Sequence, residues 1–126
     1  MANMISPPPR SPSVLQKAKV AYSFWFTLVD SIPRSHRYTL GGKVEHYFLE
    51  FLECVFTALY LPVEQKGKRL EVATSKLDGI KFFAQICWEN KCIPDKKYTE
   101  LSGLLDELGK MIGGWKKGLE KKTPAK

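Results

Sequence analysis

A chain of 126 residues, 44% hydrophobic and 26% charged, is long enough to bury a core without disulfide or metal staples and short enough to be one domain. Twenty Lys and Arg against 13 Asp and Glu leave a net charge of +7, which favours solubility and attracts polyanions without choosing among RNA, DNA and anionic lipid. The longest apolar run, Val20 to Val29, covers about half of the roughly 20 residues that a membrane-spanning helix needs. The N-terminus lacks the charged, apolar and small-residue order of a secretory signal, so a cytoplasmic protein without a membrane partner is expected.

Residues 1–12 contain Pro7, Pro8, Pro9 and Pro12, a composition that favours extended polyproline conformations, and read as a flexible leader. From Ser13, a plausible N-cap, the pattern Val14, Leu15, Ala18, Ala21, Tyr22, Trp25, Phe26 and Val29 follows helical spacing until Pro33 stops it. A second helix is expected from near Ser35 to just before Pro62, because Leu40, Val44, Tyr47, Phe48, Phe51, Leu52, Val55, Phe56 and Leu59 step by three and four. Gly41 and Gly42 fall inside it and cost about 1 kcal/mol each relative to alanine, which points to close approach of another group. After a loop at "PVEQKGK", a third helix is expected from about Lys68 to Asn90. Its stripe is Leu70, Ala73, Leu77, Ile80, Ala84 and Cys87, widened by Phe82, Phe83, Ile86 and Trp88.

Pro94 and Asp95 mark the fourth start, with proline near the first turn and an acid suited to the helix dipole. Tyr98, Leu101, Leu105, Leu108, Ile112, Trp115 and Leu119 then form a heptad seam. Four helices with short connections imply an all-α, antiparallel up-down-up-down four-helix bundle over residues 13–120, followed by a basic tail at 121–126. The apolar stripes look too wide for one core, so assembly into a homo-oligomer is expected. Within the helices, Gly41, Gly109, Gly113, Gly114 and Trp115 are candidate packing or oligomer positions, the adjacent Gly113 and Gly114 implying a tight contact.

The catalytic possibilities are thin. Cys54, Cys87 and Cys92 form no Cys-x-x-Cys and read as free, buried thiols. No Glu-x-x-His occurs, which a di-iron bundle needs, and His36 and His46 stand outside metal-ligand spacing. Nucleophile elbows and Gly-rich phosphate loops are absent from the sequence. The pairs Glu50 with Glu53 and Asp106 with Glu107 read as solvated helix faces or salt bridges between subunits. No catalytic residue, metal or cofactor is assigned, and the chain is not expected to be an enzyme.

The cations are more informative. Residues 110–126 hold six lysines against the single acid Glu120, and Lys110, Lys116 and Lys117 belong to this cluster. Two further clusters, Arg34, His36 and Arg37, and Lys66, Lys68 and Arg69, fall at expected helix starts. There the macrodipole disfavours each cation by about 0.3–1 kcal/mol. With Lys43 nearby, these ten residues are the candidate contacts to a polyanion or acidic partner, Arg being suited to bidentate phosphate contacts.

The stretches "IPRSHRYTLGGKVEHYFLEFLE" and "IPDKKYTELSGLLDELGKMIGGWKK" closely resemble the accessory variability determinant of diversity-generating retroelements. The resemblance spans about Lys17 to Lys117. Pro33, Arg34, His36, Arg37, Leu40 and Gly41 carry it at the second helix. Tyr98, Leu105, Asp106, Glu107, Gly109, Lys110, Gly113, Gly114 and Trp115 carry it at the fourth. The wider superfamily includes four-helix proteins encoded by ribosomal-RNA intervening sequences, but their Ser-Ile-Pro-x-Asn-Ile-Ala-Glu-Gly-like segment is missing here. The resemblance implies a basic, ring-like homopentamer that binds the retroelement reverse transcriptase and its template RNA, with DNA a further possible ligand. In that role it supports mutagenic complementary-DNA synthesis and does no chemistry itself. The rival reading is an oligomeric scaffold, or an intervening-sequence-type bundle, that contacts only protein.

Overall fold

The structure, a computed structural model, describes residues 13–122. The Pro-rich leader and the last four residues of the expected tail lie outside the described residues. The described residues form helices joined by short turns: α1 (Ser13–Leu28), a 3-10 turn (Val29–Ser31), the one-turn α2 (Arg34–Arg37), α3 (Leu40–Ala58), α4 (Val63–Glu89) and α5 (Asp95–Lys122). The four long helices form a bundle in which α3 packs on α4, α4 on α5, α5 on α1 and α1 on α3. No strand occurs among the described residues.

Each long helix buries the stripe its spacing predicts. Val14, Ala18, Ala21, Trp25 and Leu28 of α1 face Val44, Phe48, Phe51, Val55 and Ala58 of α3 and the α4 and α5 stripes in one continuous core. Trp25 is fully buried, and its indole N–H donates to Glu45 Oε1 at 2.9 Å, which is the partner a buried indole requires. The Tyr22 hydroxyl donates to the other oxygen of the same carboxylate. Burial and the Glu45 charge push the Tyr22 phenol up to about 12.

Between α1 and α3 the expected continuous second helix is broken. α2 ends at Arg37, and α3 begins only at Leu40, after Thr39 takes φ −103° and ψ −81°. The break lets Ile32 turn fully into the core. Gly41, buried in the first turn of α3, makes room for it: a Cβ there would stand 3.3 Å from Ile32 Cδ1. Gly42 has only ordinary spacing, a Cβ lying 3.9 Å from Arg37 O. The close approach inferred for the glycine pair therefore belongs to Gly41.

The third helix also differs at its start. α4 begins at Val63, directly after Pro62, with Glu64 in its first turn, so "PVEQKGK" is helix rather than loop. Pro62 stands at the N-cap with extended backbone, φ −57° and ψ 152°, and the acid in the first turn suits the dipole. Leu70, Ala73, Leu77, Ile80, Ala84 and Cys87 are all buried as expected. Cys54 and Cys92 join Cys87 as buried free thiols, and burial raises the Cys87 thiol to about 11.

Among the glycines, the closest approach of a neighbouring side chain is at Gly79 of α4. A Cβ there would come within 2.8 Å of the Tyr47 ring, which lies between α3 and α4 and stacks on Phe83 at 5.9 Å. By contrast, Gly113 and Gly114 are exposed, and a Cβ at either meets nothing within 4 Å. Among the described residues no tight contact exists at that pair, because both glycines sit on the outward face of α5. Gly109 makes ordinary contacts, 3.6 Å to Lys81 Nζ and 3.7 Å to Leu77 Cδ2. Trp115 is half-buried and lines an apolar groove with Val14, Leu59 and Met111.

Two outcomes follow from this packing. Gly103→Ala, at an exposed position of α5 where a Cβ meets nothing within 4 Å, raises stability by about 1 kcal/mol through helix propensity, whereas Gly79→Ala lowers it by about 1–3 kcal/mol because the Tyr47 ring has to move. Urea unfolding of the two variants measures both signs. The Tyr22 phenol lies above its ordinary value, so its neutral form stabilises the fold fully below pH 10.0. That contribution is lost as pH rises through about 12. Tyr22→Phe flattens this alkaline loss in a pH series of melting temperatures.

Candidate functional site

The ten candidate cations do not form one patch. Arg34, His36, Arg37 and Lys43 lie around the start of α3, whereas Lys66, Lys68, Arg69, Lys116 and Lys117 lie where α4 begins and α5 finishes. Lys43 sits against Phe83 near the far end of α4. Fifteen residues separate Phe83 from Lys68, about 22 Å along the helix. Lys110 is exposed on α5, about two turns before the second group.

Around the start of α3, the side chains divide between structure and surface. The Arg37 guanidinium is half-buried and donates through Nε and Nη2 to Ile32 O at 3.3 and 3.1 Å, and through Nη2 to Asp30 O at 3.1 Å. These carbonyls end the 3-10 turn and the bend after it, where no helical partner is available. A charged fork is the strong way to satisfy them. His36 is half-buried, while Arg34 is exposed and makes no salt bridge among the described residues. Lys43 is exposed, with its ammonium 5.5 Å from the Tyr47 ring centre and 5.9 Å from that of Phe83, a cation–π arrangement.

At the other end, Lys66 is the fourth residue of α4 rather than part of a loop. Its Nζ donates to Ala58 O at 2.7 Å and Leu59 O at 3.0 Å, capping the orphan carbonyls of α3. Lys68 and Lys116 face the same shallow surface as Glu64, Glu71 and Glu120, so the cations there are interleaved with carboxylates. Arg69 is exposed beside Lys68, and Lys117 is exposed on α5.

Three of the four acids read from sequence as solvated or intersubunit find partners within the chain, and the fourth, Glu53, is exposed. Asp106 pairs with Lys81 and Glu107 with Lys17, both at 3.3 Å, and Glu50 lies 2.9 Å from Lys76 and 3.0 Å from His46. Lys76, donating to Glu50, holds that carboxyl below its usual range, and the ammonium is raised in turn. Among the described residues no group of three or more His, Cys, Asp or Glu is placed to hold a metal ion, and no helix is long and apolar enough to cross a membrane.

Sequence reasoning missed a third cationic group. Lys91, Lys96 and Lys97, at the connection of α4 to α5, are all exposed. The pair "KK" directly after Asp95 carries the same helix-start misfit as Arg34 and was legible on those grounds. Lys91 was not, because nothing in its neighbours announces its backbone conformation.

A protein-family model described as bAvd-like matches residues 13–119, all of the helical unit but the last three residues of α5. The chain belongs to the bAvd-like family. No curated protein matches it. The family match bears out the resemblance to the accessory variability determinants of diversity-generating retroelements, an accessory and non-catalytic kind of protein. Much of what carries the resemblance in this bAvd-like chain is architectural: Arg37 at the corner, Gly41 against Ile32, Asp106 on Lys81 and Glu107 on Lys17.

Arg37→Ala is therefore expected to lower stability by about 1–2 kcal/mol, leaving carbonyl groups without a donor. Arg34→Ala stays within about 0.5 kcal/mol, as an exposed residue without partners should. Thermal melts of the two variants separate the roles.

Proposed function

We propose that this bAvd-like chain is a non-catalytic, cytoplasmic accessory subunit of a diversity-generating retroelement, which binds the reverse transcriptase and template RNA and so supports mutagenic complementary-DNA synthesis. The observation that carries the reading is the match over residues 13–119, and the exposed cations give it a physical means. Arg34, Lys43, Lys68, Arg69, Lys110 and Lys117 keep their charges at the surface, where they neutralise phosphates and release counterions. Arg37 and Lys66 belong to the scaffold that positions them. His36 and Lys116 stand half-buried at the edges of the two groups.

An up-down-up-down order of the helices goes with this reading. It is supported by Leu59 of α3 and Trp115 of α5 lining one groove with Val14 of α1, and by Lys43 meeting Phe83 near the end of α4. Assembly into a ring-like homopentamer is part of the same proposal. Support comes from apolar surface the single chain leaves uncovered, with Phe26 67%, Phe82 57% and Phe56 50% exposed. The open face at Gly113 and Gly114 is available to a second copy, which would supply the contact that the chain alone lacks.

Filter binding against the template RNA over a range of salt tests the proposal. Affinity is expected to fall steeply as salt rises, and Arg34→Glu weakens it while leaving the melting temperature unchanged. Salt-insensitive binding, or no binding at low salt, removes the RNA half. Capture of the reverse transcriptase without RNA then points to the protein-only scaffold.

A further inference from the structure

The connection from α4 to α5 is built as a Schellman ending. Cys92 N–H donates to Cys87 O at 2.8 Å and Lys91 N–H to Trp88 O at 3.0 Å. This puts Lys91 at the C′ position, with φ of 63°. Glycine is the usual residue there, because a Cβ in the left-handed region costs about 1–2 kcal/mol. Lys91 is the one non-glycine residue with positive φ among the described residues. Two residues into the next helix, Lys96 and Lys97 occupy the first turn of α5, where the dipole opposes cations.

All three lysines are exposed, and none makes a salt bridge among the described residues. Two of the nearby acids accept hydrogen bonds, Asp95 Oδ1 from the Trp88 indole N–H at 2.8 Å and Glu89 Oε2 from Gln85 Nε2 at 3.0 Å, and Glu100, one turn beyond Lys96, is exposed and makes no salt bridge among the described residues. The Lys97 ammonium is held 5.7 Å from the Phe24 ring centre. The turn itself is rigid, since Trp88 stacks on Tyr98 at 4.7 Å with 7° between the rings, and Cys92 and Ile93 are buried beneath it. Three cations thus stand, against local backbone preference, on a fixed support.

We infer that Lys91, Lys96 and Lys97 form a phosphate-contacting surface for nucleic acid at the α4–α5 connection, on the same end of the bundle as Arg34 and Lys43. The inference rests on the RNA-binding reading above and says where on the chain the backbone lies. A protein partner is disfavoured by the composition of the turn: Cys92 and Ile93 are buried, and Trp88 and Tyr98 spend their facing ring surfaces on each other. Protein interfaces are depleted in lysine and gain most of their energy from apolar and aromatic anchors.

The test compares the full chain with Lys91→Gly and with the triple variant Lys91→Gly, Lys96→Gln, Lys97→Gln. The probe is a fluorescein-labelled RNA hairpin, followed by anisotropy across a potassium chloride series. Lys91→Gly is expected to melt at higher temperature, because the left-handed strain is gone, and yet to bind RNA more weakly. A purely structural role for Lys91 does not produce that opposition. The triple variant is expected to show a salt slope shallower by about 2–3, close to one per lost phosphate contact. Wild-type binding with an unchanged slope in the triple variant overturns the surface and leaves the general RNA reading standing. Unchanged RNA binding with lost capture of the reverse transcriptase overturns it in favour of a protein contact. Failure of the wild type to bind RNA at low salt removes both.

Discussion

The corner between α1 and α3 depends on one side chain. To pack α3 against α1 the chain must leave a helix, pass through a 3-10 turn and re-enter a helix, which strands carbonyls at Asp30 and Ile32. The Arg37 guanidinium gathers both. With that bend fixed, Ile32 points into the core, and Gly41 is the residue that lets α3 come close enough to cover it. Glu45, one turn further along α3, then meets the Tyr22 hydroxyl and the Trp25 indole. The register of α1 on α3 is therefore set by polar groups at the margin of an otherwise apolar contact.

The same economy appears at the other connections. Lys66 reaches back to the last carbonyls of α3, and the backbone of Lys91 and Cys92 closes the end of α4. In each case the group that finishes one helix comes from the connection or from the start of the next. Helix ends carry several unsatisfied backbone groups each, so a bundle with short connections has to find donors nearby. Basic residues at helix starts are one supply, and this accounts for part of a charge pattern that the dipole alone disfavours.

This also explains which parts of the molecule were legible in its sequence. The stripe Leu70, Ala73, Leu77, Ile80, Ala84 and Cys87 was readable because burial follows helical spacing, and all six are buried. So was the seam of α5, where Leu101, Leu105, Leu108 and Ile112 are inside. The break at Thr39 was not readable: Tyr38 and Thr39 are tolerated in helices, and the pattern from Leu40 onward extends backward without an obvious stop. Gly79 escaped notice for a related reason. A single glycine in a helix signals either weak propensity or close approach, and only the position of the Tyr47 ring decides between them. At Gly113 and Gly114 the same ambiguity resolved the other way within the chain.

Cations at helix starts were the sharpest clue to function, and the structure divides them by whether their donors are spent. Arg37 and Lys66 make several hydrogen bonds to backbone oxygens, so their charges are already committed to holding corners. Arg34, Lys68 and Arg69 are exposed, and the last two share their surface with carboxylates. A misplaced charge is thus evidence for a ligand only after the backbone has made its demands. By that standard Lys91 is the more telling residue, because its position asks for a glycine and its ammonium serves no carbonyl among the described hydrogen bonds. The hydrogen bonds that close α4 repay a left-handed backbone at this position, but they are made as well by glycine, so the lysine side chain is the part that a surface shaped for something outside the chain would account for.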